Sequence, residues 1–311
     1  MERFIWFADP QKGIAGKLCR ESEVTLPVTT HALHYGSSVF EGIKFYDTPA
    51  GVQILRLRDH VERLVFSAGE IGFKLAEHLK LEDIERACVA VVAANAKEGL
   101  REGYLRPLVF CNGGIGLGSN LGKFAVAIMA AAFVKPREKP TSGVWVTFSS
   151  MIRPHPRSGS PRAKIGGFYA NCLMALVEGV ERGGAEAILE DHRGFLAEAS
   201  SSNLFLVKDG RLITPDSDSI LEGITRRCVI EIAGSLGIPV EVRPVKRDEL
   251  LAADEAFLSG TASEILPIGT VESTKLHGGA VGPVTARIWE VYVEAAHGRR
   301  PDFAHWLTPV P

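Results

Sequence analysis

The sequence predicts a mixed α/β chain of two domains, and three observations lead to this. At 311 residues, with 46% hydrophobic and 23% charged side chains, the chain is long enough for two cores. Short apolar runs of strand length alternate with amphipathic helical stretches. Near the middle, "KPREKPTSG" (135–143) is charged and holds two prolines, so it reads as a linker: domains 1–134 and 143–311, joined by 135–142.

In the first part, "LRDHVERLVFSAGEIGF" places Val61, Leu64 and Val65 together, with Arg63 beside that stripe. "LEDIERACVAVVAANAKEGL" carries Ile84, Cys88, Val91 and Val92 at i, i+4, i+7 and i+8, one buried helical face. "YLRPLVF" and "FAVAIMAAAF" read as buried strands. Beyond the linker, "VWVTFSS" reads as a strand and "FYANCLMALVEGVERGG" as a helix closed by glycines. "AEAILED" and "GFLAEASSSNLFLVKDGRLITP" read as strands with turns at Asp191–Gly194 and Asp209-Gly210. A helix from about Thr225 to Gly237, two strands from "PVEVRPV" and "EAFLSGTASEILPI", and a helix in "TARIWEVYVEAAHG" complete the chain. No repeat or low-complexity segment occurs.

Composition narrows the function. A net charge of −2 gives no field to draw nucleic acid or an anionic membrane. No apolar run approaches the roughly 20 residues of a membrane helix, and "MERFIWFADPQKG" lacks the apolar core of a signal peptide. The five cysteines are scattered, with no CxxC pair, which suits a reducing cytoplasm. No HExxH pair occurs, so no metal site is expected, and "CNGGIGLGSN" never attains a dinucleotide-binding or P-loop spacing.

Four features carry chemistry together. In "SPRAKIGGFYANC", Lys164 stands in a run with almost no other charge, followed by Ile165, Gly166, Gly167, Phe168 and Tyr169, a poor setting for a charged ammonium. A desolvated lysine has a lowered pKa and can attack a carbonyl. "LEGITRR" places Ile224 and Thr225 at a helix start, where backbone N–H groups favour a phosphate. "SGTAS" (259–263) is a second small, hydroxyl-rich turn. Glu198, within "FLAEASSSNLFLV", is a carboxylate able to keep a pyridine nitrogen protonated. Singly, each has an ordinary structural explanation: a solvated lysine, an N-cap at Thr225, an edge-strand glutamate. Together they fit pyridoxal 5′-phosphate.

"HALHYGSSVFEGIKFY", "RDHVERL", "YLRPLVF", "AKIGGFYAN", "LAEASSSNLF", "LEGITR" and "FLSGTASE", in this order over most of the chain, resemble the branched-chain amino acid aminotransferases. These are class IV, fold-type IV pyridoxal-phosphate enzymes. The resemblance implies a smaller N-terminal α/β domain and a larger C-terminal α+β domain that carries the cofactor lysine, with the cofactor at their junction and an obligate homodimer. It implies that Lys164 is covalently tied to the cofactor and later moves the substrate proton, that Tyr169 bonds the cofactor's phenolic oxygen, and that Glu198 pairs with the pyridine nitrogen. Arg63, Ile224, Thr225 and Thr261 would hold the phosphate. Tyr35, Phe40, Tyr104 and Arg106 would line the substrate pocket, and the N–H groups of Thr261 and Ala262 would meet the substrate α-carboxylate. "HYGSSVFEG" and "GIGLGSN" are the places to look for a partner-subunit contact.

The implied reaction is transfer of the amino group of L-leucine, L-isoleucine or L-valine to 2-oxoglutarate, a step of branched-chain amino acid biosynthesis. Three departures bear on substrate: "EASSSN" is closer to D-amino acid aminotransferases, Ser119 replaces a commonly apolar residue, and "AAFVKPREKP" lacks a common aromatic. A D-amino acid or (R)-amine transaminase is therefore the nearest alternative. An aminodeoxychorismate-type lyase shares the lysine, and a non-catalytic binding protein would keep the fold without the chemistry.

Overall fold

The computed structural model describes residues 3–118, 120, 122–133 and 138–311. Ser119 and the start of the expected linker, 135–137, lie outside the described residues. The chain divides into two compact units: Met1–Pro136, Ala163–Phe168 and Ala295–Pro311 form one, and Arg137–Arg162 with Tyr169–Glu294 form the other. The contiguous division read from the sequence differs from this in two places. Residues 163–168 belong with the first unit because Phe40 N–H donates to Lys164 C=O at 3.1 Å and Val39 bridges Ile165. The C-terminal segment belongs there because strand Leu307–Pro309 pairs with Gln53–Leu55.

In the first unit, β1 (Phe4–Asp9), β2 (Ile14–Arg20), α1 (His31–Tyr35), β3 (Ser38–Phe40), β4 (Ile43–Thr48) and β5 (Gly51–Leu55) precede three helices. These are α2 (Leu57–Glu70), α3 (Leu75–His78) and α4 (Leu81–Lys97), followed by β6 (Gly103–Phe110) and β7 (Ala125–Ala131). Among the described residues the strands form an eight-stranded sheet in which β6 bridges β4 and β7 and also takes β3. The expected apolar face of α4 is realised: Ile84, Cys88, Val91 and Val92 are fully buried with Val61 and Leu64 of α2. Removing that area from water, at about 25 cal/mol per Å², holds both helices on the sheet.

The second unit contains β8 (Val144–Ile152), α5 (Tyr169–Glu181), β9 (Glu186–Glu190), β10 (Leu196–Ala199), β11 (Asn203–Lys208) and β12 (Arg211–Pro215). Then come α6 (Ile224–Ser235), β13 (Val240–Arg243), α7 (Arg247–Leu251), β14 (Glu255–Gly260), β15 (Glu264–Val271), β16 (Thr274–Lys275) and α8 (Pro283–Ala296). The order β10-β9-β8-β15-β14-β11 closes through a β10–β11 pairing into a barrel-like ring around Val146, Ile188, Leu204 and Leu258. Asp209 and Gly210 both have positive φ, the geometry a two-residue hairpin turn requires. Helix α6 corrects one expectation: it begins at Ile224 with extended Gly223 as its N-cap, so Thr225 lies inside the first turn and caps nothing.

Candidate functional site

The first unit collects its polar groups on one face of α2. His60, Arg63 and Ser67, at i, i+3 and i+7, share that face. The fully buried Glu41 accepts hydrogen bonds from Arg63 Nε (2.6 Å), Arg63 Nη2 (2.8 Å) and His60 Nδ1 (2.6 Å). Burial alone would raise the Glu41 pKa, but Arg63 and His60 outweigh it and hold the carboxyl far below the usual range. For His60 burial wins, and the imidazole is lowered despite the pull of Glu41. The guanidinium plane of Arg63 is thereby fixed by a two-point fork.

Glu41 directly follows Phe40, whose ring is shared by two cations: Lys164 Nζ lies 5.1 Å from its centroid and Arg106 Cζ 4.4 Å. Arg106 Nη2 donates to Tyr104 Oη at 3.0 Å, while its Nε is buried and without a hydrogen-bond partner. Among the described residues Arg106 makes no ion pair, so a purely structural pairing with a carboxylate is not found. Tyr104 and Arg106 line a cavity of about 360 Å³ with Arg3, Ile5, Glu21 and Met129. Tyr35 stands apart on α1, 43% exposed, its ring 4.4 Å from that of His31.

In the second unit Glu198 sits on β10, between β9 and β11, and is buried, which rules out the edge-strand reading. Its Oε1 lies 3.0 Å from Arg153 Nε and accepts the Leu221 N–H at 3.1 Å; Oε2 accepts from Asn203 Nδ2 at 2.9 Å. Arg153 also reaches Cys172 Sγ at 3.0 Å. Burial would lower the Arg153 pKa, yet Glu198 and Cys172 leave it raised. The serines after Glu198 are spent on structure: Ser200 donates to Glu186, and the hydroxyls of Ser202 and Ser263 share a hydrogen bond at 2.8 Å. Ser263 belongs to the tip of the β14–β15 hairpin, where Thr261 is half-buried and Ala262 exposed. Ile224 and Thr225 are buried in the first turn of α6, which has no side-chain cap.

Within the first unit, then, Arg63, Phe40, Tyr104, Arg106 and Lys164 come together, with Tyr35 off to the side. Within the second, Glu198 is held by Arg153, and Tyr169 opens α5, the helix that carries Cys172. Sequence reasoning passes over Glu41, His60, Ser67, Arg153 and Asn203. A carboxylate inside the apolar "VFEGI" and the i, i+3 spacing of His60 and Arg63 are the available signals.

Comparison with known proteins finds relatives over nearly the whole chain. The family model described as amino-transferase class IV matches residues 38–271. The branched-chain-amino-acid aminotransferase of Pseudomonas aeruginosa is 36% identical over 299 residues, 95% of each chain. The solved T.th. branched-chain amino acid aminotransferase with pyridoxamine 5′-phosphate is similar at 37% identity and TM-score 0.91, covering 100% of this chain and 99% of that one. The same coverage holds for its complexes with 4-methylvaleric acid (38%, TM-score 0.90) and N-(5′-phosphopyridoxyl)-L-glutamate (37%, TM-score 0.89). A lysine held beside an arginine-lined pocket and a buried glutamate on a closed sheet are thus features of a chain that belongs to the class IV aminotransferases.

Proposed function

We propose that this chain is a pyridoxal 5′-phosphate-dependent transaminase that moves the amino group of leucine, isoleucine or valine to 2-oxoglutarate in two ping-pong half-reactions. The observation that carries the reading is Arg106: a guanidinium with a buried, unpartnered Nε, stacked on the Phe40 ring that Lys164 also overlies. Such a place offers an apolar wall to a branched side chain and a cation to the distal carboxylate of glutamate. The solved relative's complexes with 4-methylvaleric acid and a glutamate adduct support both halves of that reading.

The residues present fit the cofactor. The uncapped start of α6 leaves the N–H groups of Ile224 and Thr225 for a phosphate, with Arg63 and Thr261 as further donors. When bound, the cofactor supplies an electron sink for charge developing at the substrate α-carbon. Lys164 takes the proton from that carbon and returns it after the amino group has moved. Glu198, held by Arg153, Asn203 and the Leu221 N–H, keeps a proton on the pyridine nitrogen, and Tyr169 donates to the phenolic oxygen. The N–H groups of Thr261 and Ala262 hold the substrate α-carboxylate, while Phe40, Tyr104 and Tyr35 line the side-chain pocket.

The proposed assembly is a homodimer. Val28, Leu33, Tyr35, Ile115 and Leu117 are all more than 40% exposed, and hydrogen bonds from His31 and Ala32 to Gly113 and Cys111 bring their segments together. A second copy is the proposed cover for that patch. Among the described residues no helix is long and apolar enough to cross a membrane and none of the five buried cysteines forms a disulfide, which supports a cytoplasmic enzyme.

The test is the amino-donor half-reaction of the pyridoxal-phosphate-loaded protein, followed by cofactor absorbance. L-leucine should convert the chromophore, whereas D-alanine and an (R)-arylalkylamine should not. The reverse preference would replace this substrate with the alternative, and pyruvate release without a keto-acid acceptor would identify a lyase.

A further inference from the structure

Lys164 is held by its backbone from two sides. Its C=O accepts from Phe40 N–H at 3.1 Å, and its N–H donates to Ser67 Oγ at 2.9 Å. Ser67 is fully buried on α2, one turn beyond Arg63. The next residue, Ile165, bridges Val39, so Lys164 and Ile165 are tied to β3 just before a 3-10 turn at Gly166–Phe168. The fit there is close: a Cβ on Gly166 would stand 2.2 Å from Ser38 Oγ, and one on Gly36 would stand 2.8 Å from Gly167 Cα. Against β3 the segment is thus fixed by main chain and by glycines. From the helix side, a serine hydroxyl grips the peptide of the one residue whose amine is assigned the chemistry.

We propose that Ser67 is a positioning residue for Lys164, setting where the lysine amine stands when it condenses with the cofactor carbonyl, the C=O bond giving way to C=N and the oxygen leaving as water, and when it later carries the substrate proton. The inference rests on the function proposed above. Serine is a weak helix former and gives no apolar contact, so its presence in the buried stripe beside Leu64 and Ala68 calls for a polar task, and the Lys164 N–H is that task. Without the hydroxyl the part-buried N–H loses its acceptor and the segment can slide along β3. A displacement of about 1 Å in a reacting group costs on the order of a hundredfold in rate.

The experiment mixes apo-protein with pyridoxal 5′-phosphate and follows two steps: docking, by quenching of tryptophan fluorescence, and bond formation to Lys164, by the absorbance change and borohydride-fixed mass. Ser67→Ala should leave the docking constant within about twofold and slow bond formation by roughly ten- to a hundredfold. Ser67→Thr, which keeps the hydroxyl, should restore most of the rate. Hydrogen exchange of the peptide spanning 163–168 should rise in the alanine variant and not in the threonine variant, a readout independent of activity. Equal bond-formation rates in wild type and Ser67→Ala would overturn the proposal. So would a Ser67→Ala defect that appears equally in docking and in thermal stability, because that marks a general packing role. Should the alanine variant not fold, unprotected exchange of the Lys164 amide in wild type would overturn it just as well. A wild type that docks the cofactor and never forms the bond would overturn the functional reading itself, a separate outcome visible before any variant is made.

Discussion

Arg153 Nε lies 3.0 Å from Glu198 Oε1 in the second unit, with 6% and 7% of the two side chains exposed. A guanidinium compensates the charge of a carboxylate so deeply placed, and the Leu221 N–H and Asn203 amide satisfy it further. Removing one partner strands the other. Arg153→Leu should therefore destabilise the protein by about 3–5 kcal/mol, measured by urea unfolding. A loss under about 1 kcal/mol would mean that water or relaxation replaces the guanidinium.

Glu198→Gln tests the charge itself. The amide keeps the shape and the contact with Leu221 but no longer holds a proton on a pyridine nitrogen. Proton removal from α-deuterated and ordinary leucine, measured in single turnovers, should slow by at least about tenfold, with cofactor retention reduced much less. Near-normal half-reaction rates would count against the assignment.

For Lys164 the expected signature is loss of attachment without loss of docking. Lys164→Ala should bind pyridoxal phosphate through the phosphate donors, yet give no borohydride-fixable adduct and no measurable turnover, since nucleophile and base vanish together. Peptide mapping of wild type should find the label on Lys164; a label on another lysine would sink the mechanism.

Arg106→Leu separates the two substrates. A hydrogen bond to a charged group contributes about 1.5–3 kcal/mol, and truncating one partner of a buried charged contact costs about 2–5 kcal/mol. On the order of ten- to a few thousandfold should be lost in kcat/KM for 2-oxoglutarate, with the leucine half-reaction changed far less. Equal losses for both would make Arg106 a support of the Phe40 and Tyr104 rings, not a selector.

Acid should weaken the first unit in two stages. His60 is lowered from its ordinary value of about 6.5, so below that pH the unfolded chain binds a proton the native state refuses. Glu41 adds a second loss. Its folded pKa is depressed, so its contribution is complete above about pH 5 and falls away as the carboxyl is titrated below that. Thermal midpoints from pH 8 down to about 2.5 should decline first gently and then, below about pH 4.5, steeply, and Glu41→Gln should flatten that lower part. An unchanged slope in that variant would place the acid sensitivity elsewhere.

What can be read from the sequence follows periodicity and motif. The buried face of α4 is visible because four apolar residues repeat at helical spacing, and the Asp209-Gly210 hairpin because only such residues take two positive φ values in a row. Lys164 stands out through its apolar setting. The partners of these groups are not visible: Glu41 and Arg63 are 22 positions apart, and Ser67 and Lys164 are separated by 97. Long-range hydrogen bonds leave no local pattern, and a serine in a helix looks like any other serine. The start of α6 misleads for a related reason, since Thr225 is a good cap by residue type while the backbone selects Gly223.

The strand at 307–309 closes the sheet of the first unit against 53–55, residues synthesised roughly 250 positions earlier. During translation residues 53–55 therefore pair on one side only, with β4, until 307–309 has emerged from the ribosome. Removing 307–309 would expose that edge to other chains. Whether 307–309 is present and free to pair should govern how much of this enzyme is recovered in soluble form.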